Sequence, residues 1–305
     1  MKFLQILSII ILILLATSFT IELASGSKIV FYFARSTYSH RITVWPLAES
    51  LAVRGHNVTF VQPFPPKTPN PKIHEFYPKS LLGRDDMDQM NFFQVRLQGG
   101  REAIISKSRN NPSKGLELCS KFLTDPETKE WIKSSQFHLI VIDDLHNECG
   151  YALAHQFGAK TVLFVTSHPT VRRFEPLGIL LETSWIPDLR LSPQVPMNFW
   201  ERVQNTIMPV IEYFERQYVY YPKLDGIFRE SLGTSDVPSI GDLERNTSLV
   251  LANTHFSEEF ARSLPPMYVP VGGMHCEDSS QTLTPVRNPF NLKKIQILNV
   301  ANLLS

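Results

Sequence analysis

The feature that most constrains the fold is a recurrence of short runs, mostly apolar and rich in β-branched and aromatic residues, separated by helical stripes. Lys28 to Phe33 reads KIVFYF, and Val58 to Val61 resumes the same character. Runs that are apolar at consecutive positions, rather than at alternate ones, belong to strands buried on both faces of a parallel sheet. Between them Val44, Leu47, Ala48, Leu51 and Ala52 recur at the spacing of one helical face, and Arg54 and Gly55 supply a basic last turn and a stop. A second unit repeats the pattern. FHLIVI spans Phe137 to Ile142, Cys149, Ala152, Leu153 and Phe157 form a stripe closed by Gly158, and TVLFV spans Thr161 to Val165. Strands alternating with helices predict an α/β fold: a Rossmann-like, mainly parallel sheet with helices on both faces.

The remaining chain is read more coarsely. A proline-rich stretch, PFPPKTPNP, opens a long insertion between the two units. A long helix is predicted from about Asn198 to Tyr221 with a kink at Pro209, and SLVLAN, Ser248 to Asn253, reads as a late strand. No internal repeat occurs. With 30 basic and 29 acidic residues among 305, the net charge of +1 argues against a nucleic-acid groove or a polybasic membrane patch. A small or neutral partner is expected.

Residues 1–26 carry one lysine, an apolar run from Phe3 to about Leu14, and then small residues, which together read as a secretory signal peptide. The alternative is an uncleaved anchor, since the run could extend toward a bilayer span. Either reading puts the body of the protein in the secretory pathway, in the endoplasmic reticulum lumen or secreted. No later stretch has comparable length and apolarity, so no transmembrane anchor is expected once the leader is cleaved. Three cysteines, Cys119, Cys149 and Cys276, allow at most one bridge and leave one over. Asn57-Val-Thr and Asn246-Thr-Ser are glycosylation sequons, the second the better placed because the first opens an expected strand.

In an open parallel sheet, ligands bind beyond the carboxyl ends of the strands. His40 follows the first strand at that edge, and Asp143 and Asp144 follow the Phe137 to Ile142 strand at the same edge. Such a pair can act as a general base, the carboxylate holding one imidazole nitrogen while the other takes a proton from a hydroxyl. A lone histidine near a helix start is more often a cap or a satisfied core residue. Asp143, Asp144, His146 and Glu148 also have metal-ligand chemistry, but acids at a helix N-terminus are favoured by its dipole, and no metal is expected. His56, His155 and His168 have no evident partner. Pro46 leaves two arrangements open: a helix starting at Ser39, with His40 in its positive first turn, or one starting near Pro46, with His40 in the preceding loop.

Longer blocks carry a resemblance. SHRITVWPLAESLAVRGHNVTFV resembles the first block of the UDP-glycosyltransferases of the animal lipophilic-conjugating type. Met197 to Asn205, MNFWERVQN, resembles a mid-domain block of that family, and Arg245 to His275 resembles the segment leading to its interdomain linker. The resemblance covers about Lys28 to His275. It implies the N-terminal, acceptor-binding domain of a GT-B glycosyltransferase of two Rossmann-like domains. It implies transfer of a hexose or glucuronic acid from a UDP-sugar to a hydroxyl of a small lipophilic acceptor, with inversion at the anomeric carbon. Carried onto this chain, its catalytic histidine is His40. Its partner aspartate, aligned through the stretch ending at Cys149, is Asp144, with Asp143 its neighbour.

After His275 the family would continue into a donor-binding domain, whereas residues 276–305 show no donor signature. The expected organisation is therefore a signal peptide over 1–26, an acceptor-binding domain over 27–275 and a divergent tail over 276–305, with the donor domain absent. No cofactor is expected to be bound covalently; the UDP-sugar is a co-substrate. Two functions stay open: a glycosyltransferase that is a fragment or takes its donor half from another chain, and a non-catalytic lumenal module that binds acceptors or pairs with full-length relatives and modulates them. The expected partners are a small lipophilic acceptor and, in a homo- or hetero-oligomer, full-length relatives. The acceptor pocket wall is expected from about Pro63 to Pro112 and Phe174 to Pro187, with Phe76, Tyr77, Phe92, Phe93 and Trp185 as candidate linings.

Overall fold

Seven parallel strands form one sheet in the order β3-β2-β1-β4-β5-β6-β7. In this computed structural model residues 26–66, 69–82, 112–166, 174–188, 191, 196–233, 236–257 and 260–276 are described. The strands are β1 (Lys28–Tyr32), β2 (Asn57–Val61), β3 (Ile73–Phe76), β4 (Leu139–Asp143), β5 (Lys160–Val165), β6 (Leu249–Ala252) and β7 (Tyr268–Pro270). The helices are α1 (Tyr38–Val53), α2 (Pro112–Thr124), α3 (Pro126–Ser134), α4 (Cys149–Phe157), α5 (Phe199–Glu215), α6 (Tyr221–Leu232) and α7 (Ile240–Arg245). Both β-α-β units are present as expected, and Gly55 (φ 90°) and Gly158 (φ 63°) end their helices in the left-handed region that glycine enters without penalty. β1 pairs with both β2 and β4, so the chain winds outward from β1 to β3, crosses back, and winds the other way from β4. The point of reversal lies between β1 and β4.

The central strands β1, β2, β4 and β5 bury both faces, and residue parity assigns their side chains to one of two cores. On one face Ile29, Phe31, Phe33, Val141, Val162 and Phe164 pack under Val44 and Ala48 of α1. On the other, Val30, Tyr32, Ile140, Ile142 and Leu163 meet residues from α2, α4, α6 and α7. Helices therefore cover both faces. Phe31, Phe33 and Phe60 form a ring cluster beneath α1, with centroids 5.5 and 5.1 Å from Phe60. Aromatic pairs at such distances add to simple area burial.

The long helix departs from expectation in an instructive way. A capping box between Asn198 and Glu201 starts α5, and Pro209 lies inside it. The helical run does not stop at Tyr221. A π turn over Arg216–Tyr220 leads directly into α6, which ends at Gly233. Buried residues along this run are Asn205, Pro209, Arg216, Tyr221, Leu224 and Phe228. The step of five between Arg216 and Tyr221 keeps one side facing inward, which an unbroken 3.6-residue period would not. Arg216 and Tyr221 both reach the buried carboxylate of Glu244, so the π turn serves a desolvated polar cluster.

Cys119 of α2 and Cys149 of α4 form a disulfide with Cα atoms 5.6 Å apart, and Cys276 is an exposed free thiol. The bridge closes a loop of separation 30, for which chain-entropy arguments give about 3–4 kcal/mol. Reduction is expected to lower the denaturation midpoint accordingly. Before reduction one thiol per chain should react with a thiol reagent, and three should react after reduction and unfolding.

Tyr32 supplies a pH prediction. It lies in β1 against Phe122, ring centroids 5.2 Å apart, and burial, with the charge of Glu148 second, pushes its phenol well above the usual range. Below about pH 10 both folded and unfolded chains hold this proton. Above it the unfolded chain alone ionises, so stability falls by about 1.4 kcal/mol per pH unit from this group. A Tyr32→Phe protein should show a shallower alkaline loss of stability in denaturant titrations between pH 9 and 11.

Among the described residues no helix is long and apolar enough to cross a membrane. The expected leader over 1–26 and the tail over 276–305 lie outside the described residues, apart from Gly26 and Cys276.

Candidate functional site

Three strand ends converge at the reversal between β1 and β4. α1 begins at Tyr38 with Thr37 as its extended N-cap, so His40 is the third residue of the helix and lies in its first turn. Pro46 is accommodated in the interior, where it removes one backbone hydrogen bond. Of the two arrangements left open by the sequence, this is the first.

The His40 ring meets the last residue of β4. Nδ1 lies 3.1 Å from both Oδ1 and Oδ2 of Asp143, whose side chain is fully buried, while the imidazole keeps 21% exposure. The carboxylate beside the ring is thus that of Asp143, where alignment had placed Asp144. The cause is strand parity. Asp143 shares the face of Val141, which packs under α1, and a residue one step further alternates to the other face. Asp144 is buried at the strand end, its N–H donating to the Phe164 carbonyl at 2.9 Å and its own carbonyl accepting from His146 N–H at 2.9 Å.

Three further residues complete the cluster, and none was singled out from the sequence. Thr166, just past β5 and of the same parity as Val162 and Phe164, brings Oγ1 to 2.9 Å from His40 Nδ1. Asn253, following β6, donates to the Thr166 carbonyl at 3.2 Å. Asn147 lies four residues after Asp143, beyond a reversal in which His146 takes a left-handed φ of 52°. Its Nδ2 donates to Asp143 Oδ2 at 3.2 Å and to the Arg35 carbonyl at 2.8 Å, and its Oδ1 accepts the Arg35 N–H at 2.7 Å. An isolated Thr or Asn in a loop has no spacing signal by which sequence could find it.

On the flank, Arg41 anchors the same turn. Its Nη1 donates to Gln62 Oε1 at 2.6 Å and Glu75 Oε2 at 2.5 Å, and its guanidinium lies 3.8 Å over the Trp45 ring. All three polar residues of this group have little solvent access, Arg41 being 5% and Gln62 0% exposed.

The other candidates distribute as follows. His56 Nδ1 accepts the Ser27 N–H at 3.1 Å and serves the edge of β2, His155 is exposed on α4, and His168 lies outside the described residues. Among the described residues no group of three or more His, Cys, Asp or Glu is arranged to hold a metal ion. Phe76 stacks on Trp131 at 4.8 Å in the core and lines no surface. Tyr77 and Trp185 are exposed, at 41% and 47%, while Phe92 and Phe93 lie outside the described residues.

An Nδ1–H tautomer of His40 donates to the Asp143 carboxylate and makes Nε2 the proton-accepting nitrogen, with Thr166 Oγ1 3.4 Å from it. A doubly wound, Rossmann-like domain with a carboxylate-held histidine at its ligand edge is the class these features define. The family model described as UDP-glucoronosyl and UDP-glucosyl transferase matches residues 29–287, and the chain belongs to that family. It is 27% identical over 271 residues to UDP-glucosyltransferase 2 of Dactylopius coccus, covering 88% of this chain and 51% of that protein. It is 25% identical over 246 residues to UDP-glucuronosyltransferase 1A10 of Homo sapiens, covering 78% of this chain and 46% of that protein. The calicheamicin glycosyltransferase CalG4 aligns structurally over 81% of this chain and 51% of its own, with 12% identity and a TM-score of 0.40. The chain spans about half the length of the curated relatives it matches.

Proposed function

We propose that this chain is the acceptor-activating part of a UDP-glycosyltransferase, with His40 as general base and Asp143 as its partner. The observation that carries the reading is the 3.1 Å contact of a partly open imidazole with a fully buried carboxylate at the point of sheet reversal. The acceptor is a small lipophilic molecule bearing a hydroxyl. As its oxygen bonds to the anomeric carbon, the bond from that carbon to the UDP oxygen breaks, and the hydroxyl proton passes to His40 Nε2. UDP leaves as the anion. Asp143 holds the imidazole through Nδ1 and stabilises the imidazolium that forms. The sugar, a hexose or glucuronic acid, comes from a donor domain carried by a longer form of this protein or by another chain. The Cys119–Cys149 bridge fits an oxidising, secretory compartment.

The test is sugar transfer from radiolabelled UDP-glucose and UDP-glucuronic acid to a panel of phenols and steroids. The protein is assayed from its source and co-expressed with a chain carrying a donor domain. His40→Ala is expected to lower transfer by roughly 10²–10⁴-fold with acceptor binding retained. Transfer that survives the substitution overturns the reading. Acceptor binding with no turnover in any assembly would favour a binding module instead.

A further inference from the structure

We propose that Asn147 is a positioning residue that sets the distance and orientation between His40 and Asp143. The proposal rests on the general-base reading above and adds a residue to it.

His40 lies in the first turn of α1 and Asp143 at the end of β4, and a direct hydrogen bond between them is only as well aligned as those two elements are fixed. Asn147 fixes both. Its amide brackets Arg35, on the segment between β1 and α1, by accepting from the backbone N–H at 2.7 Å and donating to the carbonyl at 2.8 Å. That two-point contact mimics a pair of strands and spans 112 residues of sequence. The same NH₂ group lies 3.2 Å from Asp143 Oδ2 and 3.1 Å from the Leu145 carbonyl. Asp143 Oδ2 is also the oxygen 3.1 Å from His40 Nδ1. One carboxylate oxygen is thereby held between a fixed amide and the imidazole.

The amide orientation is unambiguous from its surroundings. Nδ2 faces three oxygens and Oδ1 faces an N–H, so a flipped amide would set oxygen against oxygen at all three contacts. Asn147 is 2% exposed, so its hydrogen bonds are made away from bulk solvent. Its side-chain hydrogen bonds go to Arg35, Leu145 and Asp143 and none to the imidazole, so it acts on His40 through Asp143. A shift of about 1 Å in such a pair costs on the order of 10²-fold in rate.

The experiment reads the histidine directly in the 305-residue chain. In wild-type protein, ¹⁵N-correlated NMR should show His40 as the Nδ1–H tautomer with a downfield, slowly exchanging Nδ1 proton. In Asn147→Ala, and in the isosteric Asn147→Asp, that proton should move upfield or exchange away and the tautomers mix. In the transfer assay kcat should fall by on the order of 10²-fold with KM for the acceptor nearly unchanged. A folded variant with unaltered His40 signals overturns the proposal. The reciprocal measurement needs no Asn147 variant: Asp143→Ala should speed exchange of the Asn147 amide protons, and unchanged exchange overturns the proposal as well. If His40→Ala and Asp143→Asn leave transfer untouched, the general-base reading falls, while the hold of Asn147 on the imidazole is still decided by NMR.

Discussion

Asp143→Asn is expected to lower sugar transfer by on the order of 10²–10⁴-fold, and Asp144→Asn, one residue on, to lower it far less. Asparagine keeps the shape of Asp143 and can still meet His40 Nδ1, but through an amide it either stabilises the wrong tautomer or offers no charge to the imidazolium. The loss should fall on kcat, because the acceptor does not touch a fully buried side chain. The contrast between the two substitutions is the sharp part. Family alignment alone assigns the role to Asp144, whereas the contact on the imidazole is made by Asp143. Equal losses in kcat would mean that the partner changes on substrate binding, and a loss confined to Asp144→Asn would reverse the assignment.

The second large effect concerns stability. Glu75→Gln should destabilise the protein by about 3–5 kcal/mol, read as a fall in the denaturant midpoint. Arg41 is 5% exposed, and its ion pair with Glu75 sits under the Trp45 ring with Gln62 closing the group. Removing the carboxylate's charge leaves a buried guanidinium without a counter-ion. Arg41→Met should cost a similar amount by stranding Glu75. The double change Arg41→Met with Glu75→Leu should recover most of the loss, because two apolar side chains need no desolvated charge. Additive losses in the double variant would refute the account. Arg41 adjoins His40 in the first turn of α1, so the single variants should also broaden the His40 resonances.

Much of the fold was legible because both β-α-β units announce themselves locally. KIVFYF and FHLIVI are long enough to cross a sheet, and the stripe Val44, Leu47, Ala48, Leu51, Ala52 has only one face to bury. Gly55 and Gly158 mark helix ends because their backbone conformation is cheap only for glycine. The place of His40 after β1 at the ligand edge was legible as well, while its position in the first turn of α1 was set only by a helix that starts at Tyr38. The π turn was not, since Arg216 and Tyr221 are drawn inward by Glu244, a residue distant in sequence.

The sequence by itself determined the alternation of elements, the parallel sheet and the edge at which a ligand would meet it, because these follow from local periodicity and from the handedness of the crossovers. Only the tertiary structure decided which carboxylate meets His40 and what holds it there. A strand buried on both faces carries no alternating pattern, so Asp143 and Asp144 look alike until α1 is laid on one side of the sheet. Asn147 and Thr166 enter for the same reason: their partners lie across gaps of 112 and 126 residues, and only packing closes those gaps.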